Sequence, residues 1–484
     1  MNLKRIKLLT FCYFSLLILL AFRFFYIGVV KNNEYTKAVM SQRVSKVEFK
    51  SPRGIIYDRN MIKITDSKMK LVVKDGNPYY VGKRTGDLFS HVIGYISQDG
   101  IGSGIEGAFD YVLSTDKTSS ISYLRDINNN KISNGYRIDV NESYKGISLT
   151  LDYHIQKITE DAMDKFKAKG AAIVVDVETG KILAMASRPT YDADNLAKYL
   201  NGKDGELLNK AVLQYNPGSV FKIIVATAFL ENHYYDEFTF NCTGSLDIDG
   251  IEFVCHKRDG HGVQNFDMAF ANSCNCAFYE LGSIVGIKEI KKYASEFGLC
   301  NEVLKINGIY EALGFVPKKV SGKAELANIS IGQGDVMATP LQIADMICTI
   351  CNGGERKQLS LIRGIVDENG ICSETYSAEV ERVISETTSR RMIELMNFAV
   401  TNGTGKNAQI EGCGAGGKTG SAETGWEKNG KIMKQGWFAG YFPAKNPQYA
   451  CVIIAENGES GSESACPIFQ TIGKNISKSG YIKD

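Results

Sequence analysis

The sequence predicts an α+β protein carried on a single apolar helix, and three observations predict it. An apolar run opens the chain, hairpin patterns flank a long stretch at both of its ends, and that stretch, about 250 residues, is mostly helical in period. A central antiparallel sheet built from both ends of one domain, with a helical subdomain inserted between them, satisfies the second and third. At 484 residues the chain exceeds one ordinary core, so two or three domains are expected. Its 44% hydrophobic and 23% charged composition is that of an ordered globular protein. A formal charge of +2, with no long Lys/Arg run, gives no electrostatic case for nucleic acid.

The elements follow in order. "MNLKRIK" precedes an apolar stretch from Leu8 to Val30 that only Arg23 interrupts, and roughly 20 such residues span a bilayer. Lys4, Arg5 and Lys7 stand before it, so residues 1–7 are expected as a cytoplasmic tail and 8–30 as an uncleaved anchor that exports the rest. A cleaved signal peptide is the rival, but the run is long and no A-x-A-like site follows it. Residues 31–146 are polar and rich in Gly and Asn, with short strand-like runs and turn chemistry such as "RDINNNKISNG" (Arg125 to Gly135), which predicts a small, mainly β pedestal domain. From Ile147 to the end, 147–484, the character changes. Asp152 is an N-cap candidate before a helical pattern, and "GAAIVVDVETGKILAMAS" (Gly170 to Ser187) reads as a hairpin around Glu178-Thr179-Gly180. "GWFAGYFPAKNPQYACVIIAENG" (Gly436 to Gly458) repeats that style.

Twelve cysteines, of which Cys12 lies in the apolar run, leave eleven elsewhere, and an odd number cannot all pair internally. Cys242 and Cys255 flank a hairpin pattern with an Asp249-Gly250 turn; they either form one bridge or stay reduced in half-buried strands. Cys274, Cys276, Cys348, Cys351 and Cys451 sit in apolar contexts and read as small core residues. Cys348 and Cys351 form a C-x-x-C in a helical run with no second ligand pair, so no metal is expected.

Three constellations carry chemistry. In "QYNPGSVFKIIVATAFLE" (Gln214 to Glu231), Pro217-Gly218 supplies a turn, Ser219 begins a helix, and the apolar residues after it mark that helix as buried. Lys222 shares a face with Ser219, and burial disfavours its ammonium, so a neutral amine can take the serine proton. The same spacing at Ser67 with Lys70 and at Ser114 with Lys117 lacks a following apolar helix. In "ANSCNCAFYELG" (Ala271 to Gly282), Ser273 offers a hydroxyl for proton relay and Asn275 an amide to orient a peptide backbone; the plain alternative is a capping serine beside a turn asparagine. In "GAGGKTGSAETGW" (Gly414 to Trp426), Gly420 and its fellow glycines allow close backbone approach, Lys418 is a fixed cation, and Thr419 and Ser421 are hydroxyl donors suited to a carboxylate. Phosphate binding is the competing reading, set aside on the reading that the G-x-x-x-x-G-K-[ST] pattern is not met and that no apolar helix follows Lys418.

Taken in chain order, S-x-x-K at Ser219, S-x-N at Ser273 and K-T-G at Lys418 resemble the motif set of penicillin-binding proteins and serine β-lactamases. The flanking "PRGIIYDRN", "GIEGAFDYVL", "LTLDYHIQ", "NPGSVFK", "GQGDVMATPLQIA" and "GWFAGYFP" resemble class B penicillin-binding proteins, monofunctional peptidoglycan D,D-transpeptidases, in a compact form without C-terminal accessory domains. The resemblance implies a transpeptidase fold over 147–484. It implies Ser219 as nucleophile on the D-Ala-D-Ala carbonyl of a stem peptide, Lys222 as base, and Ser273 as proton relay. Asn275 would hold the donor, Lys418, Thr419, Gly420 and Ser421 would bind its carboxylate end, and the backbone N–H groups of Ser219 and Ser421 would form the oxyanion hole. Ser421 stands where the family usually has threonine, which keeps the hydroxyl. Donor and acceptor stem peptides, β-lactams as covalent inhibitors and a SEDS-type glycan polymerase are the implied partners, at the bacterial cell membrane in elongation or division, with no cofactor. The alternatives are a D,D-carboxypeptidase or β-lactamase-type hydrolase, and a β-lactam-binding sensor or scaffold without turnover.

Overall fold

A computed structural model describes residues 3–483 apart from 75–76, 85–86, 98–100, 115–117, 127, 129, 142–144, 233–237, 368, 375–378, 429–430 and 457. Contacts divide the chain into two compact units: Met1–Arg53, Ser67–Gly82 and Ser114–Ser143 make the first, and Gly54–Asp66, Lys83–Leu113 and Tyr144–Asp484 the second. The region 31–146 therefore contributes two internal segments, and its last residues, to the unit that contains all three motifs.

In the first unit, α1 (Leu3–Phe25) opens a 28-residue apolar helical stretch, Leu3–Val30, long enough to cross a membrane. Strands β1 (Val44–Lys50), β2 (Thr118–Arg125) and β3 (Lys131–Asp139) form an antiparallel sheet in that order. The Asp126 carboxylate turns the chain between β2 and β3 by accepting the Asn128 and Asn130 N–H groups, both at 2.8 Å, which is the side-chain turn chemistry the Asn-rich stretch predicts. Of the two other S-x-x-K spacings, Ser67 and Lys70 fall in a strand, Thr65–Lys74, and Lys117 lies outside the described residues.

In the second unit, Asp152 caps α2 (Tyr153–Lys165) as expected: its carboxylate accepts the N–H groups of His154 and Ile155 at 3.0 and 3.2 Å. The predicted hairpin follows as β4 (Lys169–Asp176) and β5 (Ile182–Arg188). Buried helix α3 (Lys222–Asn232) leads to short strands β6 (Thr239–Cys242), β7 (Ser245–Ile248), β8 (Ile251–Val254) and β9 (Gly262–Asn265), in which β6 pairs with β9 and β7 with β8. Asp249 and Gly250 link β7 to β8 with φ of 55° and 82°, the left-handed pair that a two-residue turn of this kind needs. Helices α4 (Asn275–Glu296), α5 (Pro340–Cys351) and α6 (Glu386–Thr401) precede strands β10 (Gly416–Lys428), β11 (Lys431–Phe442) and β12 (Tyr449–Glu456), and α7 (Cys466–Lys478) follows them.

The sheet order is β10-β11-β12-β4-β5, antiparallel throughout, so both ends of the domain do build one sheet. Strand residues alternate between its faces. Ala172, Val174, Phe438 and Ile453 pack with Ile155 and Met163 of α2 and Phe469 and Ile472 of α7. Ile173, Val175, Trp437 and Val452 pack with Ile343 and Ile347 of α5 and Met392 and Leu395 of α6. Cover on both faces explains why these strands read as continuous apolar runs; each of the Val, Ile, Leu, Met and Phe side chains contributes about 1.5–3 kcal/mol on burial. β10 is left as an edge strand.

Candidate active site

Ser219 sits in a one-turn 3₁₀ helix, Gly218–Phe221, that runs directly into α3. Pro217, Gly218, Val220 and Phe221 are buried, whereas Ser219 is half-buried. Gly218 has φ +53°, and a Cβ on it would stand 2.7 Å from the Ser421 carbonyl oxygen of β10, so only glycine lets the turn meet that strand. Gly420 is the reciprocal case: a Cβ there would lie 2.8 Å from the Pro217 oxygen and 3.0 Å from Val220 Cγ2. Behind the turn, Gly218 N–H donates to the Gly332 carbonyl at 3.0 Å, and Asn216 Nδ2 donates to the carbonyls of Gly334 and Val336. The Asn216 carbonyl accepts from Gln435 Nε2 and Trp437 Nε1 of β11. The nucleophile turn is thus clamped between the sheet edge and the "GQGDV" segment, whose role the sequence reading left unassigned.

Lys222 is fully buried. Its Nζ donates to the Ser273 carbonyl at 2.7 Å and to Asn275 Oδ1 at 2.7 Å, lies 3.3 Å from Ser273 Oγ, and stands 5.2 Å from the Phe278 ring centroid. No carboxylate faces it among these contacts, and burial pulls its pKa from the usual lysine range down to about 7. Among the described residues Ser219 Oγ has no hydrogen-bond partner; the amine one turn away is engaged by the second motif. Ser273 is buried with φ +54°, and the N-cap of α4 is Cys274, so Ser273 is not the helix-capping serine of the plain alternative. Its left-handed backbone turns its own carbonyl and hydroxyl toward one amine.

Lys418 is buried on β10, with Nζ 3.2 Å from the Thr419 carbonyl and 5.8 Å from the Phe270 ring centroid. Burial first, and then the charge of Lys222, hold its pKa well below the ordinary lysine value. Thr419 Oγ1 shares a 2.6 Å hydrogen bond with Thr404 Oγ1, and the Thr404 N–H donates to the Ala271 carbonyl at 3.1 Å. Thr404 thereby ties β10 to the segment before Ser273; nothing in the spacing of "TNGTGK" marks it. Ser421 is exposed, and its Oγ accepts the Gly461 N–H at 3.1 Å. Gly461 is a second residue the sequence reading missed: a Cβ there would come within 2.3–2.4 Å of the Trp437 and Gly420 oxygens.

Residues Gly412 to Thr419 do spell the G-x-x-x-x-G-K-T spacing of a phosphate-binding loop. Residues 416–428 are a strand, however, so no helix N-terminus stands behind Lys418 to hold a phosphate. The three motifs converge instead on one place, the outer edge of β10 and the mouth of α3. Side-chain bonds join the first motif to the second, and glycine contacts join the first to the third.

Comparison with known proteins bears on the family and the fold. Residues 170–474 match the family described as penicillin binding protein transpeptidase domain. The chain is 30% identical over 442 residues to stage V sporulation protein D of Bacillus subtilis, a match covering 85% of this chain and 65% of that protein, so it spans just under two thirds of that relative's length. It is 27% identical over 460 residues to the peptidoglycan D,D-transpeptidase PbpA of Mycolicibacterium smegmatis, covering 88% and 89% of the two chains. Among solved structures it resembles penicillin binding protein 3 of Mycobacterium tuberculosis complexed with aztreonam, with a TM-score of 0.74 and 26% identity over 90% of this chain and 97% of that one. With that family matched over more than half of its length, the chain belongs to the penicillin-binding protein transpeptidase family.

Proposed function

We propose that the chain is a serine-type peptidoglycan D,D-transpeptidase. The observation that carries this reading is the engagement of one buried amine, Lys222, by the neutral oxygens of Ser273 and Asn275 at the turn that presents Ser219. Neutral Lys222 takes the proton of Ser219 as Oγ attacks the penultimate D-Ala carbonyl carbon of a stem peptide. The proton passes through Ser273 Oγ to the departing amine, the C–N bond breaks, and D-Ala leaves. Backbone N–H groups of Ser219 and Ser421 hold the oxyanion, a contribution whose loss costs about 10²–10³ in rate in another serine enzyme. The donor peptide adds along the outer edge of β10, Asn275 orients its backbone, and Lys418, Thr419 and Ser421 bind its carboxylate. An amine of a neighbouring strand then attacks the ester and releases Ser219, forming the cross-link. β-Lactams acylate the same hydroxyl.

The same reading puts residues 1–7 in the cytoplasm, residues 8–30 of the Leu3–Val30 helix across the membrane and the active site outside. It takes 31–146 as the pedestal, 147–484 as the transpeptidase domain, and a SEDS-type polymerase as the source of glycan strands. The test is an assay with a D-Ala-D-Ala donor and an amine acceptor. Free D-Ala with an equal yield of cross-linked product is expected, and neither from Ser219→Ala. Hydrolysed donor with no cross-link identifies the carboxypeptidase alternative, and no D-Ala from either protein identifies the scaffold.

A further inference from the structure

Beside the Ser273 turn lies a cluster of donors that no step of this chemistry uses. Cys242 ends β6, Cys255 follows β8, His261 precedes β9 and Cys274 precedes α4. The three thiol sulfurs and a ring nitrogen of His261 all lie within 4.8 Å of one another. Cys255 Sγ is 3.6 Å from His261 Nδ1 and 4.0 Å from Cys274 Sγ. The three sulfurs are buried and the imidazole half-buried.

The backbone is shaped to bring these donors together. The Cys255 N–H donates to the Gly244 carbonyl at 2.8 Å, and β6 pairs with β9 so that Cys242 faces Gly262. Gly244 and Gly260 have φ of +104° and +80°. A Cβ on Gly244 would meet the Arg258 oxygen at 1.9 Å, and one on Gly260 the Cys242 oxygen at 2.3 Å, so the two loops fold into each other at glycines. Around them are two-stranded ribbons, marginal on their own. Small irregular modules of this kind gain their stability from a staple.

We propose that Cys242, Cys255, His261 and Cys274 bind one zinc(II) ion in a closed, four-coordinate structural site. Zinc–sulfur and zinc–nitrogen bonds of about 2.3 and 2.0–2.1 Å, set tetrahedrally, place neighbouring donors roughly 3.5–3.8 Å apart. The observed 3.6 and 4.0 Å separations fall close to that range. Three thiolates and one imidazole suit zinc over the hard cations, which take oxygen ligands. A disulfide accounts for the cluster less well, because joining any two of the three thiols leaves the third buried thiol and the half-buried imidazole unaccounted for.

Its consequence rests on the active-site reading above. Cys274 lies between Ser273 and Asn275, so an ion bound at its sulfur anchors the turn whose carbonyl, hydroxyl and amide surround Lys222 Nζ. The metal is a brace and takes no part in bond making.

The test uses the full chain, purified in detergent with reductant and without added metal. Elemental analysis is expected to give one zinc per chain, retained in Cys451→Ser and lost in Cys255→Ser. In case Cys255→Ser does not fold, cobalt(II) exchanged into the wild-type chain is expected to show the intense thiolate-to-cobalt absorption of a tetrahedral site. A chain that carries no zinc and gives no such absorption overturns the proposal, as does peptide mapping that finds a disulfide among these cysteines. Zinc removal is expected to slow acylation by fluorescent penicillin by roughly 10²-fold, the cost of a misplaced catalytic group. Unchanged acylation after removal overturns the bracing role. Stoichiometric zinc in a chain that never reacts with penicillin contradicts the acyl-transfer reading and leaves the metal site standing.

Discussion

Burial among neutral acceptors sets what Lys222 can do. Its Nζ meets a carbonyl, a hydroxyl and an amide oxygen, it couples electrostatically to Lys418, and the thiols of Cys274, Cys255 and Cys276 favour its charged form. Desolvation outweighs the thiols and brings the pKa to about 7, so the reactive neutral amine gains population as pH rises through that value. Acylation by a β-lactam is therefore expected to climb through about pH 7 and level off above it, measured as labelling rate against pH. Lys222→Arg, which stays charged, is expected to flatten that profile and lower the rate by about 10²–10⁴. A profile of Lys222→Arg that still rises near pH 7 assigns the titration elsewhere. At this scale the sequence was informative about identity and weak about contacts. Spacing places Ser219 and Lys222 on one helical turn, but the capture of Nζ by residues 51 and 53 positions away depends on long-range closure that no local pattern encodes. Thr404 and Gly461 were missed for the same reason: each acts through contacts with segments distant in sequence.

The elements meet at glycines, and that is where the site is most easily disturbed. Strand β10 reaches the Ser219 turn only because Gly218 and Gly420 both lack a Cβ. Gly420→Ala introduces an atom 2.8 Å from a backbone oxygen, which cannot rotate away, and is expected to cost about 1–3 kcal/mol in stability. Thermal unfolding of the full chain measures that loss, and labelled penicillin measures the slowing that comes with a displaced strand; a variant with wild-type values in both contradicts the close approach. Thr339 closes a capping box at the start of α5, exchanging bonds with Gln342 at 3.1 and 2.9 Å, and Thr339→Ala is expected to cost about 1 kcal/mol by the same measurement. Elements with a local chemical cause were legible. The Asp249-Gly250 turn, the Asp152 cap and the β4–β5 hairpin each follow from residues adjacent in sequence. Asp58 was not legible: it binds the Asn60 and Ile62 N–H groups and also accepts the Tyr153 N–H, so "PRGIIYDRN" folds onto the start of α2, a partner 95 residues away.

For the molecule as a whole, composition indicated two bodies and an apolar helix, but not that the chain passes between the compact units repeatedly before residue 144. Segments 54–66 and 83–113 are too short and too polar in pattern to announce which body they join. The cysteines show the same limit. Spaced C-x12-C-x5-H-x12-C, the four proposed ligands form no compact pair among themselves; the C-x-x-C of Cys348 and Cys351 lies in the apolar helix α5, and the close neighbour of Cys274, Cys276, reads as a small core residue. Among the described residues every cysteine is free, so Cys242 and Cys255 are not bridged. Topology is tested by adding protease to intact cells, where the unit bearing Ser219 is expected to be cut and a tag ahead of Leu3 protected; the reverse pattern contradicts the proposed orientation. The most direct measurement on the central claim is peptide mass spectrometry of the chain after reaction with benzylpenicillin. A mass increase of one whole penicillin on the peptide containing Ser219, absent from Ser219→Ala, is the result expected; an adduct on another residue, or a folded chain with no adduct, contradicts it.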